Sequence, residues 1–96
     1  MTIQANEWRI TTAAGHGNGT SLQIVLDELT IEDVEKKCGP APHGGYWDED
    51  AGYDGTEWRF VGPAGEAVIL YTRWSRLRIG AHSPEHAERF RDWLCK

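Results

Sequence analysis

From Glu57 to Ala81, apolar and polar residues alternate with a period of two between turn-forming residues. That period lays successive side chains on opposite faces of a strand, so the stretch predicts three antiparallel strands, Glu57 to Val61, Ala67 to Arg73 and Arg76 to Ala81. Gly62-Pro63-Ala64-Gly65 supplies the first turn. Trp74-Ser75 supplies the second, although a two-residue hairpin loop prefers Gly or Asn. This turn makes Arg73 face Arg76, Thr72 face Leu77, Tyr71 face Arg78 and Leu70 face Ile79. One face of the meander then carries Trp58, Phe60, Val68, Leu70, Leu77 and Ile79, and the other carries Arg59, Tyr71, Arg73, Arg76 and Arg78.

Two helices are expected to cover the apolar face. Pro84 to Leu94 has Ser83 to cap its start, Pro84 at the first position and an apolar stripe of Ala87, Phe90, Trp93 and Leu94. Thr30 to Cys38 places Ile31, Val34 and Cys38 on one side. Thr30 and Asp33 fit a capping box, Glu32 and Lys36 suit the two ends of the helix dipole, and Gly39 with Pro40 stops the helix.

Upstream, Ile3 to Thr12 reads as a first strand. Leu22 to Leu26 reads as a second, paired with the first across the glycine-rich turn Ala13 to Thr20. Pro40 to Gly55, with its prolines and glycines, reads as one long connection. The expected fold is α+β: a small antiparallel sheet of about four or five strands with two helices packed on one face, residues 1–96 forming a single domain.

The chemistry-bearing residues are few. Neither Cys38 nor Cys95 sits in a nucleophile motif, and His16 and His43 read as turn or surface residues, so no enzyme activity is expected. Cys38, His43, His82, His86 and Cys95 lack the tight paired spacing of a zinc site. Asp48, Asp50 and Asp54 miss the EF-hand register. No metal or cofactor is therefore expected. The chain shows no apolar run long enough to span a membrane and no secretory leader pattern, so a cytoplasmic location with reduced thiols is expected.

Charge is unevenly spread. Residues 1–57 hold eleven acids against three bases, a balance of −8, while residues 58–96 hold four acids against seven bases, +3; together these make the net −5. Two surfaces follow. The first is an acidic and aromatic segment of Tyr46, Trp47, Asp48, Glu49, Asp50, Tyr53 and Asp54, suited to a basic groove on a partner protein. The second is the strand face of Arg59, Tyr71, Arg73, Arg76 and Arg78 with Trp74, suited to single-stranded nucleic acid. Arg73 facing Arg76 needs an anion or carboxylate between them, which the chain's own acids could also supply.

The run Thr30 to Phe60, ending in Gly52-Tyr53-Asp54-Gly55-Thr56-Glu57-Trp58-Arg59-Phe60, with Ala67-Val68-Ile69-Leu70-Tyr71 and Arg78-Ile79-Gly80, resembles small phage and mobile-element α+β proteins of the anti-CRISPR-like type. The resemblance covers about the last two-thirds of the chain. It implies a stoichiometric inhibitor of a host protein or nucleoprotein complex, such as a CRISPR effector, acting in the bacterial cytoplasm. Single-stranded nucleic-acid binding through the arginine face is the alternative.

Overall fold

A computed structural model of the chain describes residues 8–11 and 19–95, with the backbone alone for residues 43–47 and 54. Its elements run β1 (Arg9–Ile10), β2 (Ser21–Leu26), α1 (Ile31–Cys38), β3 (His43–Asp48), β4 (Tyr53–Val61), β5 (Ala67–Arg73), β6 (Arg76–Ala81) and α2 (Pro84–Leu94). The sheet is antiparallel throughout, in the order β1-β4-β5-β6-β2, with β3 also paired to β4. At nine residues, β4 is long enough for two partners on one edge: β1 lies along Phe60 and Val61, and β3 along Tyr53 to Glu57. Six segments thus fill five strand positions, in keeping with the α+β class expected.

The alternation of the meander sets the two faces as expected, with Arg73 opposite Arg76, Thr72 opposite Leu77, Tyr71 opposite Arg78 and Leu70 opposite Ile79. Trp58, Phe60, Val68, Leu70, Leu77 and Ile79 point inward and are buried. Val34 of α1 and Ala87, Phe90 and Leu94 of α2 join the same cluster, so both helices cover one face of the sheet. Phe90 is fully buried, with its ring 4.7 Å from Phe60 and 5.3 Å from Trp8. Truncating such a ring typically costs about 3–5 kcal/mol. The indole N–H of Trp58 donates to the Gly39 carbonyl at 3.0 Å, fastening the end of α1 to the sheet.

Local chemistry fixes the helix ends. Thr30 Oγ1 accepts from the Asp33 amide while Asp33 Oδ2 accepts from the Thr30 amide, a complete capping box. Hydrogen bonds from the Thr30 backbone and side chain hold the Asp33 carboxyl below its ordinary value. Gly39 closes α1 with φ 82°, a left-handed conformation that glycine adopts without steric cost. Ser83 caps α2 by accepting from the His86 amide at 3.2 Å, with Pro84 opening the helix.

Three expectations need correction. Leu22 to Leu26 lies within β2 but does not pair with the first strand; it pairs with β6, placing β1 and β2 on opposite edges of the sheet. The free edge of β6 lets β2 send Leu26 into the core beside Leu77. Among the described residues the first strand is Arg9–Ile10, with Trp8 and Thr11 outside it, while residues 1–7 and 12–18, including most of the glycine-rich turn, lie outside the described residues. Pro40 to Gly55 is not one long connection. It contains β3 and a short turn into a longer β4, with register shifts between Gly44 and Trp47 and between Tyr53 and Glu57. The shifts accommodate glycines that read as loop chemistry, Gly55 being buried at φ 84°.

Among the described residues no helix is long and apolar enough to cross a membrane.

Candidate functional site

The β3–β4 turn and the β5–β6 turn meet at one end of the sheet. In the first, Asp48 Oδ1 accepts from the Ala51 amide at 3.2 Å and the Gly52 amide donates to the Glu49 carbonyl, folding the acids back in a tight turn. Glu49 and Asp50 are exposed at its crest. In the second, Trp74 and Ser75 both have positive φ, 54° and 63°, as a primed type I turn requires. Neither is Gly or Asn, so each carries backbone strain of about 1 kcal/mol. The Trp74 amide donates to the Gly52 carbonyl at 2.8 Å and its indole lies against the bare Cα of Gly52. Even so, Trp74 is 57% exposed, the most exposed large apolar side chain among the described residues.

The arginines of the strand face separate according to their partners. Arg76 turns to the edge and makes a two-pronged contact with Asp27, at 3.1 and 2.9 Å, but both side chains are more than half exposed, so the pair adds only about 0–1 kcal/mol. Arg59 pairs with Glu57 on its own strand. Arg73 donates from Nε to the Ala51 carbonyl at 2.6 Å and lies 4.9 Å from the centre of the Tyr53 ring. Arg78 donates to the Arg73 carbonyl. The facing arginines at 73 and 76 are thus relieved by diverging, one onto the β3–β4 turn and the other onto Asp27. The carboxylates of Glu49 and Asp50 form no ion pair with these arginines among the described residues.

Of the acidic and aromatic set, the structure brings Asp48, Glu49 and Asp50 to the sheet end beside Trp74, while Tyr53 lies under Arg73 on the helix-free face. Tyr46, Trp47 and Asp54 are strand residues whose side chains lie outside the described set, as does that of His43. Of the arginine set, Tyr71, Arg73, Arg78 and Arg59 share the helix-free face, Arg76 leaves it, and Trp74 stands at its end.

On that face a groove of about 410 Å³ is lined by Leu22, Tyr53, Glu57, Ile69, Tyr71 and Arg73, with Gly80 at its floor. The rings of Tyr53 and Tyr71 are 5.9 Å apart. Burial pushes the Tyr71 phenol up, as does nearby Tyr53, against the opposing pull of Arg78 and Arg73. Leu22, Ile69, Glu57 and Gly80 were missed as site residues. The pairing of β2 with β6 is not legible from local pattern, yet the strand alternation alone places Glu57 and Ile69 on the arginine face.

A second cluster, also missed, lies at the β4–β5 turn. Glu66 is buried; its Oε1 accepts from the Ala64 amide at 2.7 Å, and Arg89 Nη2 stands 3.2 Å from its Oε2. Cys38 and Cys95 are free thiols whose ionisation burial pushes up, and among the described residues no three potential metal ligands converge.

Set against protein-family models, curated proteins and solved structures, the chain matches none of them.

Proposed function

We propose that this chain is a non-enzymatic binding protein that presses the end of its sheet, Trp74 flanked by Glu49 and Asp50, into a basic groove of a host nucleoprotein complex, in the manner of an anti-CRISPR inhibitor. The observation that carries the reading is the fixed exposure of Trp74. A large ring held in a strained turn and left 57% exposed has the form of an anchor, because its conformation is set before any partner arrives. The exposed acids beside it complement a surface that ordinarily holds phosphates and would steer association. Support also comes from the strand arginines, which find their partners elsewhere and leave these acids facing outward.

The test is affinity capture from bacterial lysate followed by competition. The wild-type chain is expected to retain a nucleic-acid-binding complex that added DNA or RNA displaces. Trp74→Ala is expected to weaken that binding by at least about 2 kcal/mol, as is typical of a central aromatic anchor. Glu49→Lys with Asp50→Lys is expected to abolish it at unchanged melting temperature. Retention of the same complex by the lysine variant, or failure of nucleic acid to compete, would overturn the reading.

A further inference from the structure

An antiparallel sheet with helices on one face ordinarily turns a polar face to water on the other. Here the helix-free face departs from that pattern. Leu22 and Ile69 bring aliphatic walls to the groove, and Tyr53 and Tyr71 bring two rings from neighbouring strands. The Tyr71 ring reaches diagonally to Gly80, where its Cε1 stands 3.5 Å from the place a β-carbon would occupy. Glycine there keeps the floor low, and the volume of about 410 Å³ falls within the ~300–1,000 Å³ of small-molecule sites.

The charge of the groove is one-sided. Glu57 is cancelled by Arg59. Arg73 and Arg78 are satisfied only by neutral groups, the carbonyls of Ala51 and Arg73 and the Tyr53 ring, and neither forms an ion pair among the described residues. Arg78 stands directly opposite Tyr71 across the β5–β6 pair, and Arg73 lies two residues along β5 on the same face. Two cations bordering paired aromatic rings disfavour a basic ligand and favour one that is flat and anionic.

We infer that the groove binds a planar ring carrying an anionic group, the chemistry of a nucleotide, with the ring against Tyr71 and Tyr53 and the anion toward Arg73 and Arg78. A free mononucleotide and one unit of a single strand share this chemistry. The site is separate from the anchor at the sheet end, since Trp74, Glu49 and Asp50 do not line it.

The experiment is an NMR titration of the whole chain with adenosine and uridine 5′-monophosphate, an oligothymidylate, and inorganic phosphate as the control. Binding is expected to move the amides of Tyr53, Glu57, Ile69, Tyr71 and Gly80, with phosphate alone at least about tenfold weaker because it cannot stack. Response to the mononucleotides assigns a free ligand, and response to the oligomer alone assigns a strand; either supports the site. Leu22 is 45% exposed at the groove rim, so its substitutions test the sign of the field without touching the core. Both substitutions at Leu22 remove part of the aliphatic wall, and Leu22→Glu is expected to weaken binding about fivefold more than Leu22→Lys. Gly80→Val, which fills the floor, is expected to abolish it, with folding checked by the retained amide pattern elsewhere. No response up to about 10 mM of any nucleotide form, phosphate binding as tightly as nucleotide, or equal effects of Leu22→Glu and Leu22→Lys would each overturn the proposal.

Discussion

Gly52 and Trp74 are joined twice, by the hydrogen bond from the Trp74 amide to the Gly52 carbonyl and by the indole lying where a side chain at 52 would have to go. Gly52 also has φ 83°, so alanine there meets both a strained backbone and the ring. Gly52→Ala is therefore expected to cost about 2–4 kcal/mol and to displace Trp74. Tryptophan fluorescence would follow the displacement and thermal unfolding the cost. An unchanged melting temperature would show that the two turns do not depend on each other.

The strain at Trp74 and Ser75 predicts a trade between stability and binding. Replacing the pair with Asn-Gly installs the residues that a primed type I turn favours, and should raise stability by about 1 kcal/mol. It also deletes the exposed ring. The variant is expected to melt higher than the wild type and to lose the captured complex, a combination that a merely structural tryptophan would not produce.

Glu66 predicts an acid dependence. Burial alone would raise its carboxyl, but the amides of Glu66 and Ala64, with Arg89 and His86, more than offset that and leave it below the ordinary value of 4.5. A carboxyl whose folded value is depressed contributes stability above its unfolded value, and loses it as the pH falls through the folded value. Glu66→Gln is expected to cost about 1–3 kcal/mol near neutrality, with the gap to wild type closing below pH 4.5. Melting temperatures of both proteins across that range measure it; a gap that stays constant into acid would assign the cost to packing.

How far the sequence discloses this structure depends on how local each determinant is. The Thr30–Asp33 box, the Ser83 cap and the alternation of Val68, Leu70, Leu77 and Ile79 are set within a few residues, and the structure has them where the pattern places them. Even the Trp74-Ser75 turn is legible, because the flanking alternation fixes the register despite unfavourable turn residues. The pairing of β2 with β6 joins residues about 55 apart, and nothing within Ser21–Leu26 names its partner. β3 is hidden for another reason: Gly44, Gly45 and the acids after Trp47 carry loop chemistry, and only a β4 extended back to Tyr53 gives them a strand to lie on. The groove inherits both gaps, since Leu22 comes from β2 and Tyr53 from the extension.

The three acids of the β3–β4 turn are alike in charge and different in role. Asp48 is half-buried and accepts from the Ala51 amide, and that turn presents the Ala51 carbonyl to Arg73. Asp48→Ala should therefore cost about 1 kcal/mol through the lost turn bond and loosen Arg73 from the Tyr53 ring. Glu49 and Asp50, at the exposed crest, should accept alanine with a change inside about 0.5 kcal/mol. Their substitution should instead slow association with the captured complex, most at low salt, where attraction between exposed charges is least screened. Unfolding curves and association rates on the three single variants separate the roles: if Asp48→Ala left stability intact while Asp50→Ala reduced it, the division between a structural and a steering carboxylate would be reversed.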